Sequence, residues 1–197
     1  MGFKGVLIAN RGEIAIRIAR AVQDLKLRAV AVYSEDDAAS LHTRVADEAV
    51  SLEGLGARAY LNIDGVIDAA KAAHCDAIHP GYGFLSEQAE FATACAQAGI
   101  KFIGPSVQHL SLFGDKARAR AAATAADVPV LAGIDRSVTL EQAHAFFDQH
   151  PQGIIIKALA GGGGRGTRAV TDKAALDDAF ARCQSEAKAA FGVEDVY

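Results

Sequence analysis

Short runs rich in β-branched residues alternate with longer amphipathic segments along the first hundred residues. We predict strands at 5–9, 29–34, 49–52, 77–79 and 101–103. We predict crossover helices at 13–25, 63–73 and 86–98, the last one capped by Ser86. Strands that alternate with helices in this way are typical of a parallel sheet covered by helices. The pattern therefore predicts an α/β domain.

The pattern changes after residue 103. Two helices are predicted next, one from 106 to about 113 and an alanine-rich one that ends near 126, with Asp115 as its cap. A second α/β unit then begins at 128, with a helix at 140–150, strands at 153–157 and 168–170, and a helix at 173–190. Residues 193–197 suggest the start of another strand. We predict domains at 1–104 and 131–197, joined by a helical bridge at 105–130, and expect the second domain to be truncated because so few strands are marginal alone.

Composition limits the class of protein. The chain has 197 residues, of which 51% are hydrophobic, so it can form real cores. A net charge of −4 and scattered basic residues argue against nucleic acid as a partner. The three cysteines lack metal-like spacing, which favours packing roles in a reducing compartment and predicts no metal ligands. Without a signal peptide or a membrane-length apolar run, we expect a cytoplasmic protein and no membrane contact.

The strongest local signal is IIIKALAGGGGRGT at 154–167, where a buried strand ends in Lys157 and four glycines follow. Successive backbone N–H groups without side chains can form a concave site for an anion, and a lysine adds a charge suited to phosphate. This is not a Walker A loop, because the Gly-Lys-Ser/Thr ending is absent. The alternative is a flexible hairpin with a solvated Lys157, which would not explain a lysine at the end of an isoleucine strand.

Three other segments are weaker when each is taken alone. NRGE at 10–13 lies where a dinucleotide fold has three glycines, but only Gly12 is present, so NAD is a poor ligand. HPGYGFLSE at 79–87 follows a strand and precedes a helix, where open α/β sheets bind ligands. Within it, His79 fits an ordered turn histidine better than a catalytic base. GDK at 114–116 places Lys116 at a helix start, where a lysine is normally solvated.

Taken together, these segments resemble biotin carboxylase, the ATP-grasp component of acetyl-, propionyl- and other acyl-CoA carboxylases and of pyruvate carboxylase. The resemblance covers essentially the whole chain and rests on order and spacing. The segments are NRGEIA at 10–15, HPGYGFLSE at 79–87, FIGP at 102–105, GDK at 114–116 and IKALAGGGGRG at 156–166. It implies a Rossmann-like N-terminal domain with a parallel sheet, a helical bridge and part of the small α+β ATP-grasp lid.

The resemblance also implies site residues. The expected contacts to the ATP phosphates are Lys116, Lys157, Gly163 and Gly164, and the rest of the closing loop is Gly161, Gly162, Arg165 and Gly166. The residues expected to face bicarbonate and biotin are Tyr82, Gly83 and Phe84. Arg17 and Arg20 resemble positions near the family's dimer interface. The sequence departs from the family at Gln88, Leu159 and Thr167, which puts only fine loop geometry in doubt.

By the same resemblance, the parent enzyme is a ligase that uses MgATP and bicarbonate to carboxylate biotin on a carrier domain. This would be the first step of acyl-CoA carboxylation in fatty acid metabolism, although the final acceptor depends on a carboxyltransferase. Implied partners are the rest of the biotin carboxylase, the biotin carboxyl carrier domain and the carboxyltransferase, in a homodimer or larger assembly. We expect no catalytic and no metal residues in these 197 residues, and hence an inactive chain.

Two alternatives remain. Another ATP-grasp ligase, such as carbamoyl-phosphate synthase or a purine-pathway carboxylase, would share the glycine loop but not the segment 79–87. A non-catalytic assembly module would show no response to ATP around Lys157.

Overall fold

The computed structural model describes residues 2–159 and 166–197, apart from the side chains of Ala117 and Phe191. The chain divides into two compact units, Met1–Asp115 and Lys116–Tyr197. The division falls inside the segment predicted as a bridge.

The first unit is built on a parallel sheet of five strands with the order β3-β2-β1-β4-β5. Its strands are β1 (Gly5–Ile8), β2 (Arg28–Tyr33), β3 (Glu48–Ser51), β4 (Ala77–His79) and β5 (Lys101–Phe102). Its helices are α1 (Gly12–Asp24), α2 (Leu41–Val45), α3 (Gly56–Ala59), α4 (Ile63–Ala72), α5 (Ala89–Gln97) and α6 (Val107–Gly114), with a 3₁₀ turn at Glu35–Asp37. The order reverses direction between β1 and β4, which is where sheets of this kind bind ligands.

Apolar side chains cover both faces of this sheet, as expected for parallel strands. In β1, Leu7 packs in a cluster that contains Val30, Ile78 and Phe91. Its neighbours Val6 and Ile8 point to the other face, in a cluster with helix α1. The alternation along β1 therefore fixes which helices lie on which side of the sheet.

The second unit combines helices with a small antiparallel sheet. Its elements are α7 (Lys116–Ala125), α8 (Leu140–Gln149), β6 (Ile154–Lys157), β7 (Thr167–Val170), a 3₁₀ turn (Lys173–Ala175) and α9 (Leu176–Phe191). Strand β6 pairs with β7 on one side. On its other side the backbone of Lys157 exchanges two 2.8 Å hydrogen bonds with Tyr197, and Ala158 forms an antiparallel bridge with Val196. Residues 196 and 197 thus pair with the end of β6 through an isolated bridge, while a further strand at 193–197 stays a prediction.

The structure confirms the predicted fold class, a parallel α/β domain followed by helices and a small α+β unit. One predicted helix start was wrong. Helix α5 begins at Ala89 after Gln88, and Ser86 is not its cap. The Ser86 N–H donates instead to the Gly83 carbonyl, because Leu85 is fully buried and holds this stretch in a turn. Among the described residues, no helix combines the length and apolar character that crossing a membrane requires.

Candidate functional site

One face of the small sheet carries the lysine that the sequence singled out. Ile154 and Ile156 are buried in the core of the second unit, whereas Ile155 is 56% exposed and Lys157 is partly exposed. Opposite residues of an antiparallel pair share a face, so Thr167 lies beside Lys157 and Ala169 beside Ile155. The result is an open, mostly apolar surface with an ammonium group near one end.

Tyr197 extends this surface, because its backbone pairs directly with that of Lys157. The ammonium nitrogen of Lys116 lies 5.7 Å from the centroid of the Tyr197 ring, which is a cation–π distance. The same nitrogen donates a 3.3 Å hydrogen bond to the carbonyl oxygen of Leu159. The fold therefore brings Lys116 to the residues that neighbour Lys157, although 41 positions separate the two in the numbering.

A cavity of about 500 Å³ adjoins these residues, and its lining includes Ile155, Lys157, Ala169 and Tyr197. Ligand pockets commonly combine apolar walls with a few fixed polar groups. Burial, reinforced by the Asp135 carboxylate and opposed by Arg120, raises the pKa of Tyr197. Its phenol is therefore neutral at physiological pH. An apolar surface with two nearby ammonium groups suits a planar base that carries phosphates.

The glycine loop begins and ends at this surface. Gly161, Gly162, Gly163, Gly164 and Arg165 lie outside the described residues. At the base of the loop, the Ala158 N–H donates a 2.8 Å hydrogen bond to the carbonyl of Gly166. Gly166 has φ of +66°, and a Cβ there would lie 3.0 Å from the Cβ of Ala158. Glycine is thus required at the point where the chain returns to β7.

The segment after β4 forms a second candidate site, in the first unit. The backbone N–H of Gly81 donates to Nδ1 of His79 at 3.0 Å, and burial lowers the pKa of this histidine. This agrees with the prediction of an ordered turn histidine. Tyr82 is 60% exposed, and its hydroxyl donates to the carboxylate of Glu13. The Phe84 ring instead stacks on the Tyr60 ring, with centroids 5.2 Å apart.

A polar cluster next to this segment was not predicted from the sequence. Asp37 accepts hydrogen bonds from Tyr60 at 2.9 Å and Ser40 at 3.0 Å, and pairs with Arg11 at 2.7 Å. Burial opposes ionisation of Asp37, but these partners outweigh it and lower its pKa. Burial also raises the pKa of Tyr60 to about 12. The cluster connects the end of β1 with the ring that supports Phe84, and its members lie too far apart in the sequence to form a motif.

The remaining predicted residues are distributed as follows. Arg17 and Arg20 line a shallow groove on α1 with Glu13 and Asp24. All three cysteines are buried, and burial raises the pKa of Cys75 and Cys95 to about 11. They are therefore packing residues, as predicted. Within residues 2–159 and 166–197, no group of three or more His, Cys, Asp or Glu side chains could hold a metal ion.

In comparisons with known proteins, each of the two units matches a different family model. Residues 115–197 match the family model of the carbamoyl-phosphate synthase L chain, ATP binding domain, so the unit with the two lysines is of an ATP-binding class. Residues 2–110 match the model of the biotin carboxylase N-terminal domain. Since this match covers more than half of the sequence, the chain belongs to the biotin carboxylase N-terminal domain family, as the motifs predicted.

The solved structures that share the fold include the following two. A biotin carboxylase β-γ-ATP complex from Campylobacter jejuni is 42% identical with a TM-score of 0.92, and this chain covers 44% of it. The biotin carboxylase domain dimer of the Hydrogenobacter thermophilus 2-oxoglutarate carboxylase, in complex with MgADP, ADP and bicarbonate, is 40% identical with a TM-score of 0.91. In both cases, 100% of this chain is covered.

Among curated relatives, the pyruvate carboxylases of Staphylococcus aureus and Bacillus subtilis are 51% and 53% identical over 98% of this chain. The chain spans only 17% of the length of each.

Proposed function

We propose that this chain forms the front part of a biotin carboxylase and that its second unit holds the phosphates of ATP. The observation that carries the proposal is the convergence of Lys116 and Lys157 on Tyr197, at the base of the glycine loop. In this proposal the two ammonium groups neutralise phosphate charge, the apolar face receives the adenine, and Gly161–Gly166 close over the phosphates.

The parent enzyme in this proposal is a ligase that uses MgATP and bicarbonate to carboxylate biotin on a carrier domain. ATP supplies the phosphoryl group that activates bicarbonate. The described residues offer no cluster of carboxylates for magnesium, so we assign no step in this chain to that ion. Tyr82, Gly83 and Phe84 would face the biotin and bicarbonate region, and Arg17 and Arg20 a dimer partner. The relatives named above favour a keto acid as final acceptor, whereas the acyl-CoA acceptor, the link to fatty acid metabolism and a cytoplasmic location stay predictions from the sequence.

The first experiment is to titrate the chain with ATP while following the NMR signals of the second unit. We expect shifts at Ile155, Lys157 and Tyr197. Lys157→Gln and Lys116→Gln should each weaken ATP affinity by about ten- to a hundred-fold, since a hydrogen bond to a charged group contributes roughly 1.5–3 kcal/mol.

The matched control is Lys188→Gln, which removes an exposed lysine that pairs with Glu194 on the same unit. It should bind ATP like the wild type. Spectra that do not respond to ATP would contradict the proposal and favour a non-catalytic assembly module. Equal effects of all three substitutions would mean that only the overall charge matters.

A further inference from the structure

Asn10 is the second residue beyond β1, at the boundary with β4 where the strand order reverses, and is 2% exposed. Its side-chain amide nitrogen donates two hydrogen bonds, each 2.8 Å long, to the carbonyl oxygens of Pro80 and Tyr82. Oδ1 of the Asn10 side chain accepts a 2.9 Å hydrogen bond from the backbone N–H of Arg11. One buried side chain thus ties the end of β1 to the segment 80–84, which we call the Tyr82 loop.

The Tyr82 loop has a backbone that needs such support. Three of its residues have positive φ, namely Gly81 at 67°, Gly83 at 63° and Phe84 at 42°. A non-glycine residue in this region is strained and persists only where its surroundings hold it. A Cβ on Gly81 would lie 2.6 Å from Nδ2 of Asn10. The close approach of Asn10 therefore depends on glycine at 81.

Two further contacts hold the loop at its far end. Phe84 packs inward on the Tyr60 ring, while the hydroxyl of Tyr82 donates to Glu13. Tyr82 nevertheless remains 60% exposed. The loop thus combines an internal anchor with one aromatic side chain that faces solvent in a fixed orientation.

We propose that Asn10 is a positioning residue that holds the Tyr82 loop in the conformation that presents Tyr82 to the biotin substrate, with Phe84 as the anchor of the loop. This inference rests on the proposed function for the identity of the substrate. The inference adds to the site a residue about 70 positions upstream of the loop. It also assigns different roles to two side chains of the loop: Tyr82 contacts the substrate and Phe84 anchors the loop.

Two substitutions test the proposal by different routes. Asn10→Asp keeps the size of the side chain but replaces the donating amide with a carboxylate that repels both carbonyls. Gly81→Ala leaves Asn10 unchanged and pushes the loop away from it. The matched control is Gly99→Ala, because Gly99 has nearly the same φ, +71°, but a Cβ there would meet no atom within 4 Å. It carries the same backbone cost without disturbing the loop.

The first measurement uses this chain with its tyrosines replaced by 3-fluorotyrosine, and follows the ¹⁹F signal assigned to Tyr82 by Tyr82→Phe. Asn10→Asp and Gly81→Ala should shift or broaden that signal and leave the Tyr33 signal in place, whereas Gly99→Ala should change neither. A Tyr82 signal that stays at its wild-type position in both test variants would overturn the proposal. Circular dichroism confirms that each variant is folded.

The second measurement uses the complete biotin carboxylase that contains this chain. Asn10→Asp and Gly81→Ala should lower kcat/KM for free biotin by about ten- to a hundred-fold, because small displacements of positioning groups are costly. The KM for ATP should match that of Gly99→Ala. If Asn10 had only a structural role, the variants would instead contain a smaller fraction of active enzyme, and ATP cleavage would fall equally with and without biotin.

The outcomes separate the two proposals. Wild-type kinetics for biotin in both variants, or an equal loss in every assay, would refute the positioning role. A wild-type enzyme without biotin-dependent ATP cleavage would refute the proposed function. In that case the Tyr82 signal would still decide whether Asn10 orders the loop.

Discussion

At the scale of single residues, Tyr197 joins the two lysines, because its backbone pairs with that of Lys157 and its ring lies 5.7 Å from the ammonium nitrogen of Lys116. A cation–π contact at a partly exposed site contributes about 0.5–1 kcal/mol. We predict that Tyr197→Leu weakens ATP affinity about two- to five-fold, because Lys116 loses this contact. Tyr197→Phe keeps the ring and should bind like the wild type. Calorimetric titration of both variants measures the difference, and equal affinities would show that the ring does not hold Lys116.

The buried side chain of His42 should make the stability of the folded chain depend on pH. The residue is 1% exposed, and its Nε2 lies 3.2 Å from the Val32 carbonyl oxygen. Burial lowers the pKa of His42 from the ordinary 6.5. The Asp37 carboxylate opposes this shift, and Arg11 adds to it. Because the unfolded chain binds the proton more readily, stability is retained above pH 6.5 and lost as the pH falls through the lowered native pKa.

Urea unfolding at pH 7.5 and 5.5 measures this effect. The wild type should be less stable at the lower pH, and His42→Gln should reduce the difference. Part of it should persist, since burial lowers the pKa of His79 as well. The prediction fails if the variant and the wild type lose the same free energy on acidification.

At the scale of elements, helix α8 begins with a capping box. Oγ1 of Thr139 accepts from the backbone N–H of Gln142, and the Gln142 side chain accepts from the backbone N–H of Thr139. Thr139→Ala should cost about 1 kcal/mol of the free energy of unfolding of the second unit. Thr139→Ser keeps the acceptor and should cost much less. Thermal unfolding of the two variants compares them, and equal losses would exclude the cap as the cause.

Most elements were predictable because their signals are local. The parallel strands and α1 follow from period-two and helical spacing, and the core clusters agree with the predicted faces. The short helices α2 and α3 were missed, since they are too brief for a periodic pattern. Residues 128–139, predicted to start a second α/β unit, contain no strand or helix. This stretch makes contacts such as the 2.7 Å hydrogen bond from Arg120 to the Leu131 carbonyl oxygen, which no local pattern reveals.

Most residues of the candidate site could be predicted from the sequence, but the contacts that bring them together could not. Lys116, Lys157 and Tyr82 stood out through their motifs. The role of Tyr197 depends on a strand pairing across 40 positions, and that of Asn10 on two bonds to a loop about 70 positions away. Such contacts arise only when the sheet is assembled, so a single sequence does not display them.

At the scale of the whole molecule, the chain covers 44% of the Campylobacter jejuni biotin carboxylase structure. We predict that the chain alone does not catalyse biotin carboxylation. In the function proposed above, two ammonium groups would neutralise phosphate charge, but the described residues offer no carboxylate cluster for a metal, so electrostatic stabilisation and orientation would both be incomplete.

The assay is phosphate release from ATP with magnesium, bicarbonate and free biotin. We expect no biotin-dependent release above that of a Lys157→Gln control. Clear turnover by the wild-type chain would show that it contains a complete site.

The hydrogen bond between Ala158 and Gly166 has a practical consequence for protein engineering. It closes the base of the glycine loop, so the spacing of β6 and β7 is set by the two strands and not by the length of the chain between them. Doubling the length of the chain that joins two strands costs only about 0.6 kcal/mol in closure entropy. A small peptide tag or a reporter cysteine could therefore be inserted between Leu159 and Gly166. Lys157 would keep its place in the sheet, and the inserted group would test the nucleotide binding proposed above.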